Sequence, residues 1–174
     1  MADKIRVMIP EEDITKRIGE IAEQINKDYA GADNVVLICI LKGSVFVTTE
    51  LAKRITVPVT LDFMSVSSYE GGTESTGRVR IIKDLDDSIE GKNVIIIEDI
   101  IDSGRTLRNL LDMLSSRKPA SLKLLALLDK PSRRVVEVPV DYTGFEIPDE
   151  FVVGFGMDYD QKYRNLPFIG VVEN

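Results

Sequence analysis

Apolar residues follow two rhythms along this chain. In one they recur every three or four positions. Ile14, Ile18, Ile21, Ile25 and Tyr29 do so with Lys and Glu opposite, and Leu107, Leu110, Leu111 and Leu114 do so again. That spacing lays one apolar stripe along a helix. In the other rhythm they run almost unbroken, from Val35 to Leu41, from Val94 to Ile97 and from Leu122 to Leu128. Such runs predict strands buried on both faces, the kind a parallel sheet needs. Further strands are expected over residues 59–66 and 78–82, and a helix over 45–55. Residues 4–9 read as an extended arm ending at Pro10, and Gly31 as the stop of the first helix. Strands alternating with helices imply right-handed crossovers and a doubly wound, mostly parallel α/β sheet.

The pattern breaks after Lys130. Pro139, Pro148 and Pro167 interrupt the remainder, short β-like pieces fall at 135–138, 151–155 and 168–172, and no long helix appears. The expectation is a single domain, with its core at about residues 11–130 and a small, mainly β hood from 1–10 and 131–174. There are no internal repeats.

Composition narrows the function. The formal net charge of the 174 residues is −7, and no long Lys/Arg cluster exists to follow a nucleic-acid backbone. Arg133 and Arg134 are only a pair. Nucleic acid is therefore not expected as a partner, and anionic ligands must be held by local nests and single cations. The one cysteine, Cys39, lies in an apolar run and reads as a buried, inert thiol. No signal-like segment or membrane-length apolar run is visible, so the expected location is cytoplasmic. Histidine is absent, which leaves acid–base and metal chemistry to carboxylates and water.

The chemistry concentrates after the Val94–Ile97 run. Glu98 and Asp99 come first, then Asp102, then Ser103-Gly104-Arg105-Thr106, then the Leu107 stripe. This is strand, polar turn, helix. Ligands in open α/β sheets sit off the carboxyl ends of strands. A flexible glycine, two hydroxyls, one Arg and the N–H groups of a helix start suit a phosphate. Each piece alone reads equally as a solvated turn or a helix cap. Together, three carboxylates flanking an anion nest call for a ribose and a divalent cation. Lys42-Gly43, after an earlier strand, is a second candidate nest or ordinary turn chemistry. Residues 67–77 form a long polar loop, either a plain connection or a lid.

The stretch from Val94 to Thr106 resembles the phosphoribosyl pyrophosphate motif of the type I phosphoribosyltransferases. That motif is an apolar strand, two acids, two apolar residues, an acid, then a hydroxyl-Gly-basic-Thr loop. The tail from Gly144 to Gly154, with Met157-Asp158-Tyr159 and Tyr163 to Leu166, resembles the purine-binding hood of the hypoxanthine-guanine members. The resemblance runs from the Leu41-Lys42-Gly43 loop to the C-terminus. It implies transfer of the 5-phosphoribosyl group from phosphoribosyl pyrophosphate to a 6-oxopurine, with release of pyrophosphate.

By the resemblance, Asp102, Ser103, Gly104, Arg105 and Thr106 hold the 5′-phosphate, and Asp102 is also the general base near the purine N7. Glu98 and Asp99 serve the ribose hydroxyls and Mg²⁺, and Asp158 a second Mg²⁺. Lys42, Gly43 and Arg164 take the pyrophosphate. Ile100, Lys130, Phe151, Val152 and Asp158 form the purine site, and Ser68 and Tyr69 belong to the closing loop. From the residues alone, Phe151 suits a core aromatic as well as a stacking platform. Lys130 equally suits a capped turn, and Asp158 with Arg164 a surface ion pair. Arg105 stands where many relatives carry Lys. Family members are commonly dimers or tetramers. Two other readings remain on the same fold: transfer to xanthine or another base, and a nucleotide-sensing RNA-binding regulator. An acidic chain disfavours the second.

Overall fold

The computed structural model describes residues 3–68 and 78–173. The element order is β1 (Lys4–Ile9), α1 (Glu11–Asp28), β2 (Val35–Leu41), α2 (Val45–Ala52), β3 (Val59–Ser68), β4 (Val79–Lys83), β5 (Asn93–Ile101), α3 (Arg105–Ser115), β6 (Ser121–Asp129), β7 (Tyr142–Glu146), β8 (Val152–Val153) and β9 (Ile169–Glu173). The main sheet runs β4-β3-β2-β5-β6-β7. Its pairs are parallel except at the β3–β4 edge. A small antiparallel sheet, β1-β9-β8, brings the N-terminal arm to the C-terminal tail.

Alternation along the central strands builds two core layers. Ile95 and Ile97 join Val35, Leu37, Leu125 and Leu127 beneath the apolar faces of α1 and α2. Val94 and Ile96 join Ile38, Leu124 and the α3 stripe Leu107, Leu110, Leu111 and Leu114 on the other face. Val94 to Ile97 are all 0% exposed, as a strand covered on both sides requires. Glu11, Glu12 and Asp13 in the first turn of α1 and Lys27 in its last complement the helix dipole. Gly31, at φ +82°, turns the chain out of that helix. Cys39 is buried, with Sγ 3.4 Å from Ser44 Oγ. No helix among the described residues is long and apolar enough to cross a membrane.

The structure departs from the sequence expectation in four places. First, β5 does not end at Ile97. Its pairing with β6 continues to Ile101 opposite Asp129, so Glu98 and Asp99 stand on a strand and not in a turn. Second, β7 lies within the expected hood yet completes the core sheet beside β6. Arg17 of α1 covers its free edge, donating to the Gly144 and Thr143 carbonyls at 3.0 and 2.7 Å. Third, 135–138 forms no strand. The Val135 and Val136 N–H groups both donate to Ser103 O, at 2.9 and 3.1 Å, so the segment braces the central turn. Fourth, the strand expected over 151–155 shrinks to Val152–Val153, because Gly154 and Phe155 turn to φ +95° and +48°.

Candidate active site

The site is built at the carboxyl ends of β2, β5 and β6. Alternation along β5 sends Asp99 to one face and Glu98 to the other, and Ile100 packs toward the cluster of Ile95 and Ile97. Asp99 meets the loop after β2, where the Gly43 backbone lies so close that a Cβ there would overlap the Asp99 carboxylate. The Leu41–Lys42 peptide bond in this loop is cis. Burial pushes the Glu98 carboxyl well above its ordinary value, and the Asp99 charge pushes the same way. Burial also raises Asp99, against the Ile100 N–H at 2.7 Å and the Arg164 charge.

The turn after β5 is clamped from behind. Its carbonyls point away from the cavity: Ser103 O takes the two valine N–H groups, and Asp102 O accepts Arg134 Nε at 3.2 Å. Arg134 also grips Asp129 at the end of β6. Gly104, at φ +84°, is the residue before α3 and lies against the Val136 carbonyl, where a side chain has no room. The N–H groups that open α3 then face a cavity of about 670 Å³ lined by Ser103, Gly104, Thr106 and Asp102. Arg105 is the first residue of that helix. Ser68 reaches the same cavity, its Oγ 2.9 Å from Thr106 Oγ1. Tyr69 lies outside the described residues.

A second cavity, about 180 Å³, adjoins the first. Asp99, Ile100, Asp102, Lys130, Phe151 and Val152 line it, with Met157 and Asp158. Lys130 is 8% exposed, and its Nζ lies 3.7 Å from both Asp102 Oδ1 and Asp149 Oδ1. Phe151 is 55% exposed, so its ring is no part of the core. It meets Tyr159 in a T-shaped contact, with ring centres 5.6 Å apart. Asp102 and Ile100 line both cavities.

The third corner joins the Lys42 loop to the hood. Gly156, at φ +101°, lies against the Gly43 carbonyl. Arg164 donates to Gly156 O at 2.7 Å and lies 3.3 Å from Asp158 Oδ1. Among the described residues no three His, Cys, Asp or Glu side chains converge on one point. Glu98, Asp99 and Asp158 therefore do not form a single metal shell. They suit a hard cation that keeps water and takes the rest of its oxygens from its ligand, as Mg²⁺ does.

Comparison with known proteins agrees with this geometry. The profile of the phosphoribosyl transferase domain matches residues 10–160. The chain belongs to the phosphoribosyl transferase domain family. It is 52% identical to a hypoxanthine-guanine phosphoribosyltransferase of Streptococcus thermophilus over 168 residues, covering 97% of this chain and 93% of the relative. The Staphylococcus aureus enzyme of that name is also 52% identical, over 98% of this chain and 95% of its own. A crystal structure of a hypoxanthine-guanine phosphoribosyltransferase from Bacillus anthracis superposes with a TM-score of 0.94 at 49% identity, covering 98% of this chain and all (100%) of that one.

In this phosphoribosyltransferase several site residues escaped the sequence reading. Arg133 lines the larger cavity and lies 3.5 Å from Asp149, while Arg134 pins the turn. In the sequence both read only as an isolated basic pair. The available signal was their place, directly after the carboxyl end of a buried strand. Asp149 and Gln161 carried no signal, because the lysines they meet, Lys130 and Lys42, come from other parts of the chain.

Proposed function

We propose that this phosphoribosyltransferase is a cytoplasmic purine-salvage enzyme. It transfers the 5-phosphoribosyl group from phosphoribosyl pyrophosphate to hypoxanthine or guanine, giving inosinate or guanylate and pyrophosphate. One observation carries the reading: Asp102 stands at the junction of a phosphate-type cavity and a small pocket with an exposed aromatic ring and a buried lysine. That junction suits a group joined to a sugar phosphate on one side and to a flat base on the other.

Ser103, Gly104, Arg105, Thr106 and the Asp102 backbone hold the 5′-phosphate. Glu98 and Asp99 accept from the ribose hydroxyls. Phe151 stacks on the base, Val152 meets its edge, Ile100 lies beneath it and Lys130 donates to the 6-oxygen. The Asp102 carboxylate accepts the purine proton near N7 and steadies positive charge at the ribosyl carbon as the bond to pyrophosphate breaks. Lys42, the Gly43 backbone and Arg164 receive the leaving pyrophosphate. Mg²⁺, held near Glu98 and Asp99 and through Asp158, would neutralise that leaving group. Ser68, the last residue of β3, and Tyr69 after it would shield the reaction from water. Homodimers or homotetramers go with this reading.

The test is direct. Purified protein with Mg²⁺, phosphoribosyl pyrophosphate and each of hypoxanthine, guanine and xanthine is assayed for the nucleotide. Inosinate or guanylate formation is the expected result, and turnover of xanthine alone would replace the base assignment.

A further inference from the structure

Gln161 stands in an unusual place. The turn from Asp158 to Arg164 contains three non-glycine residues with positive φ: Asp160 at +50°, Gln161 at +63° and Tyr163 at +74°. Side chains with a Cβ rarely hold this conformation unless the surroundings enforce it, and such residues cluster at functional sites. Here the enforcement is visible. Tyr159 and Lys162 exchange backbone hydrogen bonds of 3.0 and 2.9 Å, and the Gln161 N–H donates to Asp158 Oδ2 at 2.8 Å. The outcome is that Gln161 Oε1 accepts from Lys42 Nζ at 3.3 Å and from Arg164 Nη2 at 3.2 Å. The two cations come from opposite walls, one from the loop after β2 and one from the hood. One neutral oxygen joins them.

We propose that Gln161 is a positioning residue: its amide oxygen sets the spacing of Lys42 and Arg164 and occupies, in the free protein, the place a diphosphate oxygen takes. This rests on the proposed roles of Lys42 and Arg164. Two cations brought together repel unless something lies between them. Asp158 already lies 3.3 Å from Arg164 Nη2, so a carboxylate at position 161 would hold the two cations more strongly but would add a second resident anion to compete with the ligand. An amide dipole keeps them apart at a fixed distance without neutralising them, and a diphosphate oxygen, fully charged, displaces it.

The charge of residue 161 therefore decides the outcome, and two near-isosteric variants separate the possibilities. Binding of inorganic pyrophosphate with Mg²⁺ is measured by calorimetry for wild type, Gln161→Glu and Gln161→Met. The KM values for phosphoribosyl pyrophosphate and hypoxanthine are measured in parallel. Gln161→Glu weakens pyrophosphate binding by about tenfold, two exposed ion pairs' worth, and raises the KM of the sugar substrate with it. Gln161→Met keeps the length and loses the acceptor, with a loss of about two- to threefold. The hypoxanthine KM stays within about twofold of wild type in both, since Gln161 is not among the residues lining the base pocket. Pyrophosphate affinity unchanged in Gln161→Glu would overturn the proposal. So would an equal loss in both variants, or parallel shifts in both substrates, which would mark a purely structural residue. Wild-type protein that binds pyrophosphate yet forms no nucleotide would remove the proposed reaction and leave Gln161 to be judged by the calorimetry.

Discussion

Asp102 illustrates how one side chain acquires a role from its backbone. Its carbonyl is fixed by Arg134 and its carboxylate faces both cavities, so changing the carboxyl group leaves the turn in place. Asp102→Asn is expected to lower kcat by roughly a hundred- to ten-thousandfold, the usual contribution of a general base, while phosphoribosyl pyrophosphate still binds. Steady-state rates with a parallel binding titration check this, and wild-type turnover would remove Asp102 from that role. Phe151 is argued the same way. Its exposed ring supports no core, so Phe151→Ala should cost little stability. It should raise the hypoxanthine KM by about five- to a hundredfold, the worth of one base–aromatic stack, and leave the sugar substrate nearly untouched. Equal shifts in both constants would make the ring structural. Residues such as Asp102 and Thr106 were legible in sequence because one turn carries them together. Arg134, Asp149 and Gln161 were not. Each acts through a partner that only folding brings near: a carbonyl 32 residues away for Arg134, a lysine 119 away for Gln161.

At the scale of elements, hydrophobic rhythm located α1, α3 and the central strands, since burial on two faces leaves no other pattern for β5. It failed where pairing, not composition, makes the strand. Residues 142–146 include Gly144 and two polar residues, and read as hood. The β6 backbone recruits them, with Gly144 flush against the Leu127 carbonyl where a side chain would not fit. The end of β5 was misplaced for a related reason. Glu98 and Asp99 look like a turn, yet the neighbouring β6 extends the ladder to Ile101. The consequence is functional, because a strand fixes carboxylates more rigidly than a loop does. The turn beyond depends on α3 being seated on the sheet. Leu110 and Leu114 are 0% exposed, so Leu110→Ala should destabilise the fold by about 2–5 kcal/mol through lost burial and a residual cavity. Urea titration measures this. A loss below about 1 kcal/mol would mean that α3 is not the anchor assigned to it.

The whole molecule divides its charges between the two ends of the sheet. At the carboxyl end, burial raises the Glu98 and Asp99 carboxyls and disfavours their charged forms. At the amino end, a carboxylate is used for stability instead. Asp28, at the close of α1, accepts a hydrogen bond of 2.5 Å from the Tyr142 hydroxyl of β7. That bond, with Gln24 and Lys123 assisting, holds the Asp28 carboxyl below its ordinary value of 3.8. Lys123 also stands over the Tyr29 and Tyr142 rings at 5.1 and 5.7 Å. A carboxyl lowered on folding contributes stability that is present above its unfolded pKa and lost as pH falls through its folded pKa. Tyr142→Phe should therefore cost about 1–2 kcal/mol at pH 7, the worth of a partly solvated hydrogen bond to a charged group. For a chain of this length that is a fall in Tm of roughly 3–6 °C. The gap between wild type and variant should narrow as pH drops below about 4, because protonated Asp28 keeps only a neutral hydrogen bond to lose. Thermal melts of the two proteins at pH 7, 5 and 3 check it. A gap that stays constant across that range would mean, since Phe keeps the ring and its packing, that the hydroxyl contributes independently of the charge on Asp28, and that this charge adds nothing to holding β7 on the sheet.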